Sequence, residues 1–403
     1  MLTAIRESVL GPSYWYHRQL IEQSKSWSAD QIGQYQSQRF RRLIDRYGDD
    51  VTEKDDYRRN PQKYRRFDAP LLTHAVRTGG TSGQPLRFTA DTFSRRQKER
   101  AYLFDIWAQI GFSPHDLRVA YRGDVHDGLV RYNRLENLWI ISPHATMERD
   151  LDGLRRWVRT MPPFFLHVHA SSLFTFIDLV GEALFRRLPI RGVIAGSEAF
   201  PVGEQLQFER DYGISIAHWY GHSEYAVLAY NCRQCRGFHF YPTYGYAELL
   251  PSETHGCQRI VASSFNRLGT QFVRYDTGDL ALESTTNCIA NEFRRVDAIV
   301  GRTQETFIDT EGRRRSLFGY IFGDEKSVLW DQIRDLQVVQ DRPGSLRVRL
   351  VALPGADKCQ IEQTLERRVP MAKLEFEYVP LIERNPNGKR SYFVDLMRAG
   401  EAE

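Results

Sequence analysis

The sequence lacks the features that mark secreted, membrane-spanning and disulfide-stabilised proteins. Its N-terminus has no basic segment followed by a long apolar run, so no signal peptide is expected. The most apolar helical stretch, residues 171–185, is short and contains Asp178 and Glu182, which argues against a membrane span. Its five cysteines, an odd number, do not suggest a disulfide framework. These absences predict a protein of the reducing cytoplasm that does not insert into a membrane.

A strong charge of one sign is also absent. The net charge is +4 over 403 residues, and the two short basic clusters, at 65–66 and 313–315, are typical of solvated surface. Nucleic acid is therefore not an expected partner. Hydrophobic residues make up 41% of the chain, enough for a packed core, and the length allows two domains. We find no internal repeat and no low-complexity tract.

The order of periodic segments predicts an α/β fold. Strand and helix patterns alternate over residues 110–225, which is typical of an α/β layer with ligands at the strand ends. Residues 28–48 have helical periodicity, and Ser28 with Gln31 can form a capping box. Beyond residue 302 the pattern becomes strand, strand, helix, strand. We therefore predict a large domain at 1–301 and a small α+β domain at 302–403.

A loop of small residues at 78–85, Thr-Gly-Gly-Thr-Ser-Gly-Gln-Pro, can wrap phosphate groups. Its glycines let the backbone approach an anion, and its hydroxyl groups can donate hydrogen bonds. No Gly-Lys-Ser/Thr follows, so it is not a Walker loop, and taken alone it could be a flexible surface loop. The residues concerned are Thr78, Gly79, Gly80, Thr81, Ser82 and Gly83.

Two carboxylates follow predicted strands. Glu224 ends the sequence Trp-Tyr-Gly-His-Ser-Glu, where it can hold a Mg²⁺ ion that bridges phosphate oxygens, and Tyr220 can stack on adenine. Asp279 can accept hydrogen bonds from both hydroxyls of a ribose. The simpler alternatives are an exposed turn glutamate and a turn aspartate favoured by Gly278.

Two cations lie nearer the C-terminus. Arg302 follows Gly301 where the pattern changes, so it can contact ribose or phosphate beside a hinge, or act as an interdomain arginine. Lys389 lies on an Asn-Gly turn, where a mobile lysine can reach the α-phosphate as negative charge builds up. A solvated lysine at a hairpin tip is the alternative.

A C-x₂-C pair, Cys232 and Cys235, indicates a possible zinc site. His239, Cys257 and Cys288 are the remaining candidates. Cys257 is the expected third ligand, and either His239 or Cys288 the fourth, in a structural site with four protein ligands. The alternative is a set of reduced, buried thiols.

In their order and spacing these segments resemble the adenylate-forming superfamily, in particular the branch of phenylacetate–CoA ligases and their capsule-biosynthesis relatives. The resemblance runs from about residue 30 to 395. It implies a large ATP-binding domain and a small C-terminal lid that rotates between half-reactions, with Lys389 as the adenylation lysine and Arg302 at the hinge. Gln84 departs from the family's usual lysine. Besides Glu224 for Mg²⁺, the resemblance implies nucleotide contacts from Thr78–Gly83, Gly196, Ser197, Glu198, Tyr220, Gly221, His222, Ser223 and Asp279.

The resemblance implies an AMP-forming ligase that uses ATP, Mg²⁺ and a small carboxylic acid. The acyl group of the acyl-AMP then passes to an amine or a thiol. The sequence favours amide formation in surface-polysaccharide or amino-acid conjugate synthesis, with a coenzyme A ligase and a non-catalytic nucleotide-binding protein as alternatives. Neither the acyl group nor the oligomeric state can be read. The candidate acyl-pocket lining is Tyr121, Arg122, His167, His169, Ser171 and His218.

Overall fold

The computed structural model describes most of the chain. The described residues are 2–66, 72–77, 86–92, 94–122, 126–142, 151–196, 200, 202–252, 257–266, 268–284, 288–300, 306–316, 329, 332–382 and 393–399. Within them the helices are α1 (Leu2–Ser24), α2 (Ala29–Tyr47), α3 (Lys54–Arg59), α4 (Ser94–Ala108), α5 (Leu151–Val158), α6 (Ala170–Val180), α7 (Glu182–Phe185), α8 (Val202–Tyr212), α9 (Lys358–Arg368) and α10 (Leu396–Ala399). None of these helices is long and apolar enough to cross a bilayer.

The strands of the described residues fall into one large sheet, one small C-terminal sheet and two hairpins. In chain order they are β1 (Thr73–Arg77), β2 (Arg87–Asp91), β3 (Arg118–Tyr121), β4 (Val130–Asn133), β5 (Leu138–Ile141), β6 (Phe164–His169), β7 (Ile190–Gly196), β8 (Ile216–Gly221), β9 (Leu228–Asn231), β10 (Phe238–Phe240), β11 (Gly245–Pro251), β12 (Cys257–Ser264), β13 (Tyr275–Glu283), β14 (Arg295–Val300), β15 (Thr306–Ile308), β16 (Arg314–Ser316), β17 (Ile333–Arg342), β18 (Ser345–Ala352), β19 (Lys373–Tyr378) and β20 (Phe393–Asp395).

The large sheet joins a parallel half to an antiparallel half. Its order is β11-β12-β13-β14-β10-β9-β8-β7-β6-β3-β5-β4. From β5 through β3, β6 and β7 to β8, neighbouring strands run parallel, whereas β8 to β11 are paired antiparallel. All six residues of β6 are buried, as expected for a parallel strand covered on both faces. The alternation of strands and helices predicted for 110–225 is confirmed.

The N-terminal helices depend on late parts of the chain. The amino group of Lys25, beyond α1, lies 2.6 Å from a carboxylate oxygen of Asp105 in α4, and the Tyr241 hydroxyl donates to the other oxygen at 2.7 Å. The backbone amide of Thr52 donates to the carbonyl of Arg274 at 2.9 Å. Docking of this region therefore requires strands that come much later in the sequence.

The small sheet has the order β19-β18-β17-β20 and its own hydrophobic cluster, which includes Leu336, Val348 and Leu365. The order β17, β18, α9, β19 agrees with the strand, strand, helix, strand pattern predicted beyond residue 302. The hairpin β15–β16 precedes this sheet, and β16 lies against α6. The predicted boundary at residue 302 lies outside the described residues and stays a prediction.

Two helix predictions need adjustment at their ends. The apolar helical stretch at 171–185 forms two helices, because Gly181 has a φ of 85° and separates α6 from α7. The predicted helix at 28–48 is α2, and its capping box forms as expected. The backbone amide of Gln31 donates to Ser28 Oγ at 3.3 Å, and the amide of Ser28 donates to Gln31 Oε1 at 2.9 Å.

Replacing Ser28 with alanine removes the N-terminal cap of α2. We expect Ser28→Ala to lower the free energy of unfolding by about 1 kcal/mol, because a helix amide loses its acceptor. The midpoint of urea unfolding measures the loss. Ser26→Ala is the matched control, since Ser26 is exposed and, among the described residues, its hydroxyl donates to the Gln23 carbonyl. An equal loss in both variants would contradict a specific role for the cap.

Candidate active site

The carboxyl ends of the parallel strands form one edge of the large sheet, where α/β proteins usually bind ligands. Arg122 follows β3, His169 ends β6, Gly196 ends β7 and Gly221 ends β8. Strand pairing places them side by side, since His169 is opposite Gly196, and Gly196 is opposite Trp219. The sheet thus brings together segments that the sequence separates by about a hundred residues.

Tyr220 and Asp279 meet at this edge. The Tyr220 hydroxyl donates a hydrogen bond to Asp279 Oδ2 at 2.8 Å, and Asp279 is 9% exposed. The backbone amide of Asp279 donates to Thr277 Oγ1 at 3.1 Å, which fixes the turn before the carboxylate. Two residues predicted to contact a nucleotide are therefore direct neighbours.

Glu224 is buried in a network of polar side chains. The Tyr275 hydroxyl donates to Glu224 Oε1 at 2.9 Å, His222 Nδ1 lies 3.1 Å from Glu224 Oε2, and Lys54 Nζ lies 3.7 Å from Oε1. With an exposure of 5%, Glu224 is not the exposed turn residue of the alternative interpretation. The sequence motifs identify neither Tyr275 nor Lys54 as a site residue. Tyr275 lies inside the segment that holds Asp279, whereas nothing in the sequence around Lys54 singles it out.

The large sheet must bend to make these contacts. Four inter-strand steps separate β8 from β13, which would be about 19 Å in a flat sheet. The Tyr220–Asp279 and Tyr275–Glu224 hydrogen bonds nevertheless connect these two segments directly. The antiparallel half therefore curls over the end of β8, and the candidate site lies in the resulting concave surface.

His222 contributes a polar atom that a ligand can use. Its Nδ1 faces Glu224, and its Nε2 is buried with no hydrogen-bond partner among the described residues. Buried polar atoms are usually paired, so an atom of this kind is suited to hydrogen bonding with a ligand. This supports a polar ligand beside Glu224.

Gly196 lies against the Trp219 indole. A Cβ atom at position 196 would come within 2.1 Å of the Trp219 ring, so only glycine permits this packing. Of the predicted nucleotide contacts at 196–198, the structure describes Gly196. Ser197 and Glu198 lie outside the described residues, as do Thr78–Gly83, Arg302 and Lys389. Of the predicted nucleotide contacts, the structure describes Gly196, Tyr220, Gly221, His222, Ser223, Glu224 and Asp279.

A second polar group lies at the same edge, where the sequence predicts the acyl pocket. Arg122 Nη1 donates to His167 Nε2 at 2.9 Å, and His169 Nε2 lies 3.1 Å from the Arg122 carbonyl. His218 Nδ1 lies 2.9 Å from the Ala195 carbonyl oxygen. Tyr121, the neighbour of Arg122, is buried in the core beside α6. The prediction that His167 and His169 share one face of a strand agrees with their positions in β6.

These histidines are neutral at physiological pH. Burial, followed by the nearby Arg122 charge, lowers the pKa of His167 well below its usual value and that of His169 to about 3. Burial lowers the pKa of His218 to about 4, although its hydrogen bond to the Ala195 carbonyl acts in the opposite direction. The Arg122 guanidinium therefore faces a neutral imidazole as its acceptor in His167.

The predicted metal ligands converge in a third cluster. Ligand atoms of Cys232, Cys235, His239 and Cys288 all lie within 4.8 Å of one another. Cys232 Sγ and Cys288 Sγ are 3.9 Å apart, and Cys235 Sγ lies 3.2 Å from His239 Nε2. Both candidates for the fourth ligand are present, so the set is complete without Cys257, whose side chain lies outside the described part. The cluster could hold a metal ion.

Comparison with solved structures extends over the whole chain. A 2-hydroxyisobutyryl-CoA ligase in complex with 2-HIB-AMP and CoA in the thioesterification state matches with a TM-score of 0.51 at 15% identity, over 98% of this chain and 92% of that chain. The same ligase in the postadenylation state, in complex with R3-HIB-AMP, matches with a TM-score of 0.50 at 16% identity, over 100% of this chain and 90% of that chain. The chain therefore shares the fold of this ligase.

The structural similarity agrees with the predicted fold, and it concerns the fold alone. No family model and no curated protein matches the sequence. The narrower resemblance to the phenylacetate–CoA ligase and capsule branch stays a prediction, because structural similarity at this identity concerns the fold.

The buried histidines make stability depend on pH. Below pH 6.5 the unfolded chain protonates His169 and His218, whereas the folded chain keeps them neutral down to pH values of about 3 and about 4. Each of these two histidines should therefore lower the free energy of unfolding by about 1.4 kcal/mol per pH unit, as the pH falls from the pKa of the unfolded chain to that of the folded chain.

Urea unfolding of the wild type and His218→Gln between pH 7 and pH 5 measures this effect. We expect the variant to show a shallower decline, because one of the buried imidazoles whose pKa is lowered by folding is gone. An identical slope in the two proteins would contradict a neutral, buried His218.

Proposed function

We propose that this protein activates a carboxylic acid with ATP, forming an acyl-AMP and pyrophosphate, and then transfers the acyl group to an acceptor. The observation that carries the proposal is the hydrogen bond from Tyr220 to Asp279, which lies beside the buried Glu224. Both lie at the edge of the sheet where a fold shared with an acyl-CoA ligase is expected to bind its ligand. A carboxylate beside an aromatic ring suits a nucleoside, and a second carboxylate suits the metal ion of its phosphates.

Each of these groups has a role in nucleotide binding in this proposal. Asp279 accepts hydrogen bonds from the ribose hydroxyls, and the hydrogen bond from Tyr220 keeps its carboxylate in place. Glu224 would hold a Mg²⁺ ion, which when bound neutralises phosphate charge and polarises the phosphate oxygens. The Tyr275 hydroxyl orients Glu224, and His222 Nε2 is free among the described residues to contact the nucleotide.

The chemical step requires positioning and charge stabilisation. A carboxylate oxygen of the acid attacks the α-phosphorus of ATP, and the bond from that phosphorus to the pyrophosphate oxygen breaks. In the proposal, Thr78–Gly83 bind the phosphates, and Lys389 neutralises the charge that builds up on the α-phosphate. Residues 302–403 form the lid that brings Lys389 to this site, and Arg302 contacts the nucleotide near the hinge. Ser197 and Glu198 lie beside the adenine.

Coenzyme A is the acceptor that we propose for the second step. The ligase that shares this fold is described in complex with 2-HIB-AMP and CoA, whereas no observation supports the amide formation favoured by the sequence. The thiolate of coenzyme A would attack the acyl carbonyl carbon, and the bond to AMP would break, giving a thioester. We therefore propose a coenzyme A ligase in preference to an amide-forming enzyme.

The first prediction from this proposal concerns Lys389. With ATP, Mg²⁺ and a panel of carboxylic acids, the wild type should release pyrophosphate with one class of acid. Lys389→Ala should lower the rate by about 100-fold or more, because charge on the α-phosphate is no longer neutralised. Coupled detection of pyrophosphate measures the rate.

Arg390→Ala is the matched control, since it removes the adjacent positive charge and should leave most of the activity. Equal losses in both variants would contradict a specific role for Lys389. ATP binding without pyrophosphate release from any acid would favour a non-catalytic nucleotide-binding protein. Release that requires an amine and leaves coenzyme A unconsumed would restore amide formation.

A structural zinc ion is the second part of the proposal. Tetrahedral zinc with Zn–S bonds of about 2.3 Å separates two sulfur ligands by about 3.8 Å, close to the 3.9 Å between Cys232 Sγ and Cys288 Sγ. His239 Nδ1 lies 2.9 Å from Asn291 Oδ1, which leaves Nε2 toward the thiols. Cys232, Cys235, His239 and Cys288 thus fit a closed site that stabilises the fold and takes no part in catalysis.

Removal of one ligand should remove the zinc. We expect Cys288→Ser to lose most of the metal and to unfold at a lower temperature, because a structural metal ion contributes directly to folding. Elemental analysis of the purified protein and thermal unfolding provide the two measurements. Cys359→Ser is the control, since Cys359 is an exposed thiol in α9. Full zinc content in Cys288→Ser would contradict the proposed ligand set.

A further inference from the structure

A cavity of about 300 Å³ lies between α1, α4 and β2. This volume is at the lower end of the range of about 300–1,000 Å³ that is common for small-molecule sites. Glu224 forms part of its wall, so the cavity adjoins the candidate active site. The wall formed by α1 begins at a break in the helix, where Gly11 has a φ of 73° and the amide of Ser13 donates to Gln97 Oε1 at 3.0 Å.

Two cations on one face of α4 line this cavity. Arg95 and Lys98 are separated by about one helical turn, and both side chains contribute to the wall. Lys98 is only 6% exposed. Its amino group donates to the Tyr244 carbonyl at 3.2 Å and to Asn266 Oδ1 at 3.0 Å, and it lies 4.1 Å from the centre of the Tyr244 ring. Within the described residues, its hydrogen-bond acceptors are neutral.

Arg95 has a similar environment. Its guanidinium donates to the Tyr225 hydroxyl and lies 3.1 Å from His74 Nε2. Burial, followed by the charges of Arg95 and Arg96, lowers the pKa of His74, so the imidazole is a neutral acceptor. The Nε atom of Arg95 is buried without a hydrogen-bond partner in the described part of the chain.

A buried cation that bonds only to neutral groups is costly unless an anion accompanies it. Burial lowers the pKa of Lys98 to about 8, and the adjacent Glu99 only partly opposes this shift. The Glu99 carboxylate accepts a hydrogen bond from the Tyr244 hydroxyl at 2.5 Å, and its own pKa is raised by burial. The cavity therefore presents positive charge on α4, and its wall also contains the carboxylates of Asp91 and Glu224, of which Glu224 can share a metal ion with an anionic ligand.

We infer that this cavity binds the diphosphate end of the nucleotide, with Arg95 and Lys98 contacting the phosphate oxygens that leave as pyrophosphate. The inference rests on the proposed function, which places Mg²⁺ at Glu224 in the same wall. Cationic side chains on one side of a diphosphate and a metal ion on the other would together neutralise its negative charge. Coenzyme A also carries a diphosphate, but the shared wall at Glu224 favours that of the nucleotide.

Binding of inorganic pyrophosphate with Mg²⁺ to the full chain, measured by calorimetry, tests the inference. Lys98→Met and Arg95→Met should each weaken binding by about 10- to 100-fold, because a charge-assisted hydrogen bond to phosphate is lost. Arg96→Met is the matched control, since Arg96 is exposed on the same helix and outside the cavity wall. It should change the affinity by less than about 2-fold.

Separate measurements with AMP and coenzyme A identify the source of the diphosphate. If Lys98→Met and Arg95→Met bind AMP as tightly as the wild type, the nucleoside site is intact. The inference then requires that both variants bind pyrophosphate more weakly while their affinity for AMP stays unchanged. Pyrophosphate affinity in Lys98→Met equal to that of Arg96→Met overturns it, as does a loss confined to coenzyme A. If Lys98→Met also loses affinity for AMP, the Lys98→Arg variant, which keeps the positive charge, is measured instead. Pyrophosphate binding by Lys98→Arg supports the inference, and loss of that binding overturns it.

These binding experiments are independent of turnover. Failure of the wild type to release pyrophosphate from ATP with any acid would contradict the proposed function. Calorimetry with pyrophosphate would still show whether Arg95 and Lys98 form an anion site. The two proposals can therefore fail separately.

Discussion

The bend of the large sheet is the constraint on which the candidate site depends. Glu224 follows β8 and Asp279 lies in β13, four strand steps apart, and they share a site only because the antiparallel half curls back. Register shifts occur between β12 and β13 at Arg259 and Val261, and between β13 and β14 at Leu282 and Glu283. Such irregularities increase local twist and bend, so they are a physical source of the curl. The hydrogen bonds from Tyr220 and Tyr275 then hold it.

Two different electrostatic environments lie along the same edge of the sheet. Around Glu224 and Asp279, two buried carboxylates are held by tyrosine hydroxyls, and cations from α3 and α4 lie nearby. Around Arg122, the buried groups are histidines that burial keeps neutral. A polyphosphate with its metal ion suits the first environment, and the second can accept the less charged acyl portion. One sheet thereby provides both halves of the proposed reaction with different local charge.

The sequence predicted the class of the fold and the parallel core because local signals there agree. β6 begins with the apolar residues Phe164, Phe165 and Leu166, and Ser28 and Gln31 mark the start of α2, so both signals are local. The pairing of Tyr220 with Asp279 could be anticipated only through a family resemblance, since 59 residues separate them. Lys54 and the cavity cations Arg95 and Lys98 could not be found in this way. Their positions follow from tertiary packing, and ordinary charged helices have the same local sequence.

The contact between the N-terminal helices and the late strands has a consequence for synthesis on the ribosome. Thr52 Oγ1 donates to the Val273 carbonyl, 221 residues later, and the buried rings of Tyr57 and Tyr64 belong to the same cluster as Phe272. At translation rates of about 5–20 residues per second, these tyrosines wait about 10–45 s for their partners. During this interval the nascent chain exposes an aromatic surface that the finished protein buries against its late strands.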